Sequence, residues 1–314
     1  MIFIYYIYYF SIYNNMSFHH ISKLSHSIFF GKYPCEETLK EIISVHSTHI
    51  INLCHFFDNT KPYTFSGKII NFPILDNSVE DDSNVISLIY TLKNLIISED
   101  AVLYIHCKAG HGRSAVIAGL LYGFMNTLTP QDVLEKIRNA HSKRLTGVRR
   151  FNCPSSFSQI KQIKRLLKPY HFVNFKNPLS NSSRHKFYFR PLESFFNNTE
   201  AALQAYKDPT DYNYIQSLSK CITGKKAKEI GSQHKLANES WNFEKYKYMY
   251  DILFEKVKAH ENEFIPLLKA TGIRPIFYYT DNDLLWGSGH DYKSGKNYLG
   301  DCWNDIRFYF ITNL

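Results

Sequence analysis

The chain has 314 residues, of which 44% are hydrophobic and 21% charged, and its formal net charge is +9 at pH 7. This length allows two domains of ordinary size, and the composition is that of a soluble globular protein. Six cysteines without paired spacing argue against a disulfide framework or a zinc site and suit a reducing, cytoplasmic compartment: Cys35, Cys54, Cys107, Cys153, Cys221 and Cys302.

The first thirteen residues carry no charge. This stretch is too short to span a bilayer and lacks the basic region of a signal peptide, so no stable membrane insertion is expected. Because Met16 follows it, we interpret residues 1–16 as a leader that is disordered or that reflects a mis-assigned start.

Strands and helices alternate in the predicted pattern from Ile28 onward. We predict strands at Ile28–Gly31, His49–Cys54, Ile69–Ile74 and Val102–His106, and helices at Glu36–Val45, Asn84–Ile97 and Pro130 to about His141. The helix after Ser114 has one apolar face that packs on the sheet, formed by Val116, Ile117, Leu120, Leu121 and Phe124. This alternation predicts a mixed α/β fold with a mostly parallel sheet and helices on both faces.

The stretch His106–Ser114, HCKAGHGRS, lies where a predicted strand gives way to a helix. Such a loop can curl around one oxyanion, because its backbone N–H groups point inward and the helix N-terminus favours negative charge. Two glycines allow close backbone approach. The sequence therefore predicts a phosphate cradle made of Lys108, Ala109, Gly110, His111 and Gly112.

The side chains in and beside this cradle are expected to supply its chemistry. The field that attracts phosphate also stabilises a thiolate, so Cys107 is predicted to be a nucleophile at neutral pH. Arg113 supplies a planar fork for two oxygens of the phosphoryl group. Ser114 can donate a hydrogen bond to the sulfur when it leaves, and His106 is better placed to orient the loop than to act as the base.

These residues resemble the Cys-x5-Arg-Ser/Thr loop of the cysteine-dependent tyrosine and dual-specificity phosphatases. The resemblance implies a cysteinyl-phosphate intermediate and a general acid on a loop that precedes the nucleophile. Asp76 resembles the family's acid in position, whereas Asp81 and Asp82 are expected to cap the helix that begins near Asn84. No cofactor and no metal are expected.

A basic run extends from Lys136 to Lys168, with ten Lys or Arg and no Asp or Glu. It is either a solvated helical face or a basic rim that draws acidic substrates to the cradle. The expected partner of the phosphate loop is a phosphorylated substrate: a protein, a nucleotide, an RNA end or a phosphoinositide. Lys108 resembles phosphoinositide-type loops, although His111 stands where these can have a second lysine.

The C-terminal half carries a second set of motifs. Residues 173–198 are rich in Asn, Ser and Phe and are interpreted as a linker or the irregular start of a new domain. The domain itself is predicted at 199–314, with a start as early as 178. Acids among aromatic side chains suit a sugar–base bond, because a ring stacks on indole and a carboxylate stabilises an oxocarbenium-like state.

The order of these motifs, from about Asn181 to Arg307, resembles the NADAR family, which includes riboflavin-intermediate N-glycosidases and is linked to ADP-ribose metabolism. The resemblance implies a mainly α domain with a site at Glu200, Trp241, Asp283, Trp286 and Asn297, and with Gly287, Gly300 and Arg307 as scaffold or ligand contacts. Tyr278 departs from the pattern, since the family commonly has Glu there. ADP-ribose or a ribosylated ligand is the implied partner.

The sequence thus predicts a phosphatase domain at 17–172 followed by a NADAR-like domain. Phosphomonoester hydrolysis is the main predicted function. Two alternatives stay open: N-glycosidase or ADP-ribose processing as the main activity, with the phosphatase acting on nucleotide, RNA-end or phosphoinositide phosphates, and a protein that only binds such ligands. Because tethering raises the effective concentration of one domain's product at the other's site, a phosphorylated nucleotide or ADP-ribose derivative is a further hypothesis for the substrate.

Overall fold

The computed structural model describes residues 18–145, 152–173 and 176–313. They form two compact units, one on each side of the Lys168–Pro169 bond. The proposed leader lies outside the described residues, as do Arg149 and Arg150 of the basic run. Each unit is described below by itself.

A five-stranded sheet forms the centre of the first unit, in the order β1-β2-β5-β3-β4. Strand β1 is antiparallel to β2, and all other neighbours are parallel. The strand bounds are Ile21–Lys23 for β1, Ile28–Gly31 for β2, His49–Asn52 for β3, Lys68–Asn71 for β4 and Leu103–His106 for β5. The predicted mixed α/β fold with a mostly parallel sheet is confirmed.

The described part of the first unit has five helices, two between strands and three in succession after β5: Glu36–Ser44 (α1), Asp82–Glu99 (α2), Arg113–Met125 (α3), Pro130–Ser142 (α4) and Phe157–Leu166 (α5). Side chains fix several of their starts. The Thr129 hydroxyl accepts from the backbone N–H of Asp132 ahead of α4, and Ser156 forms a capping box with Gln159 at α5. Asp81 caps α2, as predicted.

Helix α3 is buried almost all round, whereas the sequence predicted one apolar face. Its contacts explain the difference: β2 and β5 lie along it, and α2, α4 and α5 also pack against it. A helix enclosed by a sheet and other helices has no solvated side. The rigid helix that follows the phosphate loop is therefore fixed from several directions.

The carboxyl ends of the central strands meet at one edge of this sheet. In the register, His106 of β5 is opposite Gly31 of β2 and Asn52 of β3. Chain segments that leave these three strands begin side by side, where ligands bind in sheets of this kind. Cys107 therefore starts at the centre of this edge.

The second unit is mainly helical. Its helices are Thr199–Ala205 (α6), Tyr212–Ser219 (α7), Gly224–Gln233 (α8), Trp241–Ala259 (α9), Glu261–Ala270 (α10) and Tyr298–Thr312 (α11). Its strands form two pairs: Tyr170–Phe172 (β6) parallel to Ile276–Tyr278 (β9), and Phe187–Phe189 (β7) antiparallel to Ser194–Phe196 (β8). Within the described ranges, no helix of either unit has both the length and the apolar character needed to cross a membrane.

Residues 173–198 were interpreted as a linker or the irregular start of a new domain, and the described residues among them belong to the second unit. They contain both β7 and β8, and the side chains of Phe187, Phe189 and Phe196 are buried in the core of the second unit. The pattern was obscure because these strands have three residues each and lie among Asn, Ser and Pro residues. The segment is part of the second unit's fold.

Candidate functional site

Cys107 lies at the start of the predicted phosphate loop and is almost fully buried. Its sulfur accepts a hydrogen bond from the backbone N–H of Gly110 at 3.3 Å and lies 3.4 Å from the Ser114 hydroxyl oxygen. Donors aimed at the sulfur favour negative charge on it. The structure thus brings together three residues that the sequence singled out.

The loop is held tightly against the end of β2. Gly110 has φ +77°, and a Cβ there would lie 2.3 Å from the carbonyl carbon of Gly31 and from the backbone nitrogen of Lys32. The backbone N–H of Tyr33 donates to the Lys108 carbonyl at 3.1 Å. Only glycine fits this position, for both conformation and space. The side chain of Lys108 is exposed, as is that of Ala109.

Arg113 is the first residue of α3, and its guanidinium group is buried. Nη1 and Nη2 donate to the two carboxylate oxygens of Asp58 at 2.7 and 3.1 Å, and Nη1 also donates to the Ile74 carbonyl at 2.8 Å. Burial alone would raise the pKa of Asp58, but hydrogen bonds from Arg113 and from the backbone N–H of His55 lower it. A buried bidentate pair therefore fixes the arginine.

The sequence analysis did not identify Asp58 as a site residue. It ends a short 3-10 turn, Phe56–Asp58, that follows β3 at the carboxyl edge of the sheet. The usable signal was the position of an acid shortly after a strand that neighbours the nucleophile's strand. The sequence alone did not show that β3 neighbours β5.

Asp76, the predicted general acid, reaches the same arginine. Its Oδ1 lies 2.9 Å from Nη2 of Arg113, and its side chain is 60% exposed. The Nε of Arg113 is buried and has no hydrogen-bond partner among the described residues. Both terminal nitrogens of the Arg113 fork already have protein acceptors, Asp58 and Asp76 among them. Nε is the donor that remains for a phosphoryl oxygen.

The other two acids of that stretch have different roles. Asp81 accepts from the backbone N–H of Ser83 and caps α2. Asp82 pairs with Arg165 of α5, with Oδ1 2.8 Å from Nη2, and also accepts from Gln162. Both carboxylates are thus occupied by structural bonds of the first unit.

His106 is fully buried beneath the loop. Its Nε2 lies 2.8 Å from the Tyr63 hydroxyl and its Nδ1 3.8 Å from the sulfur of Cys54. Burial lowers the pKa of His106 to about 3, so the ring is neutral at pH 7. This arrangement agrees with the expected orienting role.

His111 of the loop bonds to a second histidine. Its Nδ1 lies 2.8 Å from Nε2 of His141, near the end of α4. Burial lowers the pKa of His111 to about 4 and that of His141 to about 3. The side chain of His111 therefore adds no charge to the loop at pH 7.

In the second unit, Glu200 is 3% exposed at the start of α6. Its Oε1 accepts from the Gln204 side chain at 2.7 Å. Burial raises the pKa of Glu200, against the opposing charge of Lys228. A buried carboxyl group of raised pKa is typical of a residue that exchanges protons with a ligand.

Lys228 of α8 was missed at the sequence level. Its Nζ lies 3.8 Å from Oδ2 of Asp283, and the charge of Glu200, followed by that of Asp283, raises its pKa. Burial raises the pKa of Tyr278, which also interacts with both acids and with Lys228. Glu200, Asp283, Tyr278 and Lys228 therefore share one electrostatic neighbourhood.

The remaining predicted residues divide between site and scaffold. The backbone N–H of Trp286 donates to Oδ1 of Asp283 at 3.2 Å. The Trp241 ring lies 5.9 Å from Nζ of Lys207, which interacts with Glu200. The side chain of Asn297 binds backbone groups: its amide oxygen accepts from the backbone N–H of Tyr278 and its amide nitrogen donates to the carbonyl of Ile276.

Both ends of the Asn297 side chain are thus used to hold β9. Arg307 is equally internal, since it is fully buried and donates to Thr271 and to the Arg274 carbonyl. A Cβ at Gly300 would lie 2.3 Å from the Ile276 carbonyl oxygen, and one at Gly287 would lie 2.5 Å from the Thr280 methyl carbon. The contacts given for these four residues are all internal to the second unit.

One group in the described residues has ligand atoms close enough to share a cation: Asp208, Asp211 and His234. Local bonds account for it. Asp208 accepts from Thr210 and pairs with His234 at 3.1 Å, and Asp211 caps α7. We therefore assign these side chains a structural role.

The two halves of the chain resemble different known proteins. The first unit is phosphatase-like: over 118 residues the chain is 33% identical to "Putative tyrosine phosphatase 197R" of Invertebrate iridescent virus 6. That match covers 36% of this chain and 44% of the viral protein. Residues 157–310 match the family model of the NADAR domain, so the C-terminal half contains a NADAR domain whose match begins within α5.

Solved structures resemble each half at low identity. The active form of Tk-PTP is 16% identical, covers 46% of this chain and 95% of its own, and has a TM-score of 0.38. The E. coli protein YbiA is 23% identical, with 46% and 86% coverage and a TM-score of 0.41. PTPMT1 in complex with PI(5)P is 15% identical, with 46% and 92% coverage and a TM-score of 0.38.

Proposed function

We propose that the first unit hydrolyses phosphomonoesters through a cysteinyl-phosphate intermediate. The observation that carries this proposal is the sulfur of Cys107, which meets the Gly110 N–H and the Ser114 hydroxyl in a loop closed by Arg113. A thiolate in a ring of donors is suited to attack phosphorus, and the same donors stabilise the transferred oxygens.

In the first step, the Cys107 thiolate attacks phosphorus, the S–P bond forms and the bond to the leaving oxygen breaks. Asp76 gives its proton to that oxygen. Loop N–H groups and Nε of Arg113 hold the equatorial oxygens. In the second step, water attacks phosphorus and yields its proton to Asp76, the S–P bond breaks, and Ser114 donates a hydrogen bond to the departing sulfur.

Substrate binding has to rearrange the contact between Asp76 and Arg113. A carboxylate bound to a guanidinium accepts hydrogen bonds, whereas a general acid has to donate a proton. The exposure of Asp76 allows it to move, while buried Asp58 keeps the arginine in place. We infer that an incoming phosphoryl oxygen takes over Nη2 and releases Asp76 toward the leaving group.

Replacing the acid tests this role. We expect Asp76→Ala to slow hydrolysis of alkyl phosphates, which have poor leaving groups, by about 10²–10⁴-fold, with a much smaller effect on activated aryl phosphates. Steady-state phosphate release from both substrate types provides the comparison. Asp81→Ala is the matched control, because it removes a neighbouring carboxylate that caps a helix. Equal slowing of both substrates would assign Asp76 a structural role.

For the second unit we propose a ribosylated ligand, bound with Glu200 and Asp283 facing the anomeric carbon, and N-glycosidase turnover. Three observations support this: burial raises the pKa of Glu200, Glu200 and Asp283 both interact with Lys228, and residues 157–310 match the NADAR model. A protonated carboxyl group can donate to the departing base, and the second carboxylate can stabilise an oxocarbenium-like state.

The corresponding test separates binding from cleavage. Glu200→Gln keeps the size of the side chain and its hydrogen-bonding capacity but cannot exchange a proton. We expect it to retain ADP-ribose binding, measured as a thermal shift of the full chain, and to lose at least about 10²-fold in release of base from ribosylated pyrimidines. Unchanged cleavage would remove Glu200 from the mechanism. Binding without cleavage in the unsubstituted protein would favour the ligand-binding alternative.

A further inference from the structure

A cavity of about 570 Å³ lies in the first unit, between the end of α4 and the start of α5. Cavities of this size are typical of small-molecule sites. Six of its lining residues matter here: Arg138, His141, Ser155, Ser156, Phe157 and Ile160. The phosphatase steps described above use none of them.

The cavity shares its wall with the phosphate loop. His141 lines the cavity and hydrogen-bonds His111 of the loop at 2.8 Å. Ser155 also lines it, and its hydroxyl oxygen lies 2.4 Å from the point where a Cβ on Gly112 would stand. Two residues that line the cavity therefore contact the loop, through His111 and Gly112.

The lining combines positive charge with an exposed ring. Arg138 is exposed and forms no salt bridge within the part of the chain described. By contrast, two other arginines of the basic run have structural partners: buried Arg144 donates to Ser22, and Arg165 pairs with Asp82. Arg138 therefore remains available to an anionic ligand.

Phe157 supplies the ring. It is 70% exposed at the first position of α5, and Nζ of Lys161 lies 4.6 Å from its ring centre. An exposed aromatic ring beside cations favours a planar, anionic partner, since planar rings stack on it and phosphates pair with the cations. Ser156, which also lines the cavity, caps the N-terminus of α5.

We propose that this cavity binds the part of the substrate beyond the scissile phosphate, and that this part is a nucleotide unit. Its base stacks on Phe157 and its further phosphate pairs with Arg138. The inference rests on the proposed phosphatase function and names the substrate class of that site. A phosphotyrosine peptide fits the cavity less well because its ring is adjacent to the scissile phosphate, and an inositol phosphate has no aromatic ring to stack.

The experiment uses the full chain and a 5′-phosphorylated dinucleotide, with p-nitrophenyl phosphate as the substrate that lacks a nucleotide unit. We expect Phe157→Ala and Arg138→Gln each to raise KM for the dinucleotide about tenfold while kcat stays within about twofold. Phe157→Trp and Arg138→Lys should recover most of the affinity. The control is Lys164→Gln, an exposed cation of α5 that does not line the cavity.

Each outcome separates the two proposals. An unchanged KM for the dinucleotide in both variants, with normal turnover of p-nitrophenyl phosphate, would overturn the nucleotide site and leave the phosphatase intact. If the unsubstituted protein hydrolyses neither substrate, the phosphatase proposal fails. Calorimetry then measures the affinity of the dinucleotide for Cys107→Ser and for the same variant that also carries Phe157→Ala. A weaker affinity of the double variant supports the nucleotide site without any need for turnover, and an equal affinity overturns it. An equal loss for an inositol phosphate or a phosphotyrosine peptide would contradict the nucleotide assignment.

Discussion

Cys107→Ser is expected to abolish phosphate release, with a loss of at least about 10³-fold in kcat, because a serine hydroxyl is not ionised by the loop and cannot form the S–P bond. The change replaces sulfur by the slightly smaller oxygen in the buried site, so the fold should be retained. Phosphate release from an aryl phosphate measures the loss, and acid quenching of the unsubstituted protein should trap phosphate on Cys107.

Cys35→Ser is the matched control for this substitution. Cys35 precedes α1 and its sulfur lies 3.1 Å from the Thr38 hydroxyl, a contact that serine can also make. The two variants have the same chemical change, one inside the loop and one outside it. Substantial turnover by Cys107→Ser would sink the covalent mechanism.

Asp58→Ala is expected to have the largest effect on stability. It leaves the buried guanidinium of Arg113 without its bidentate partner, which typically costs about 3–5 kcal/mol when one member of a buried pair is removed. Activity should fall as well, because Arg113 is no longer fixed beside the loop. Asp58→Asn keeps one acceptor oxygen and should lose less stability.

The stability of the first unit has to be measured separately from that of the second unit. All three tryptophans, Trp241, Trp286 and Trp303, lie in the second unit, so their fluorescence reports on that unit. Hydrogen exchange of β3 and β5 amides reports on the first. Asp82→Ala is the control, since its partner Arg165 is partly exposed and such pairs contribute about 1 kcal/mol or less. Equal protection in Asp58→Ala and the unsubstituted protein would contradict the assigned role.

Much of the first unit could be predicted because its signals are local. Val102–His106 is an apolar run, the loop has its glycines at fixed positions, and Thr129 with Pro130 marks a helix start. The partners of Arg113 were not predictable in this way. Asp58 meets Arg113 only because β3 pairs beside β5, and no spacing within the chain encodes that distance.

In the second unit, too, residues marked by sequence motifs were predicted, whereas residues whose role depends on tertiary packing were not. Glu200 and Asp283 were found from motif order, but Lys228 acquires its role only where α6 and α8 pack together. The family resemblance implied Asn297 as a scaffold residue or a ligand contact, because motif positions alone do not show what an amide side chain binds. Its two bonds to β9 follow from the left-handed turn at the start of α11.

The ion pair between Asp76 and Arg113 has a consequence for inhibition. The protein carries its own competitor for the arginine, tethered on a short loop, and a tethered group acts at an effective concentration of about millimolar. An external anion that binds Nη2 of Arg113 has to displace that carboxylate, whereas Nε has no partner among the described residues. Doubly charged tetrahedral anions gain from the loop N–H groups as well, whereas a singly charged carboxylate such as acetate offers the arginine nothing that Asp76 does not. We therefore expect phosphate-like anions to inhibit the protein more strongly than free carboxylates such as acetate.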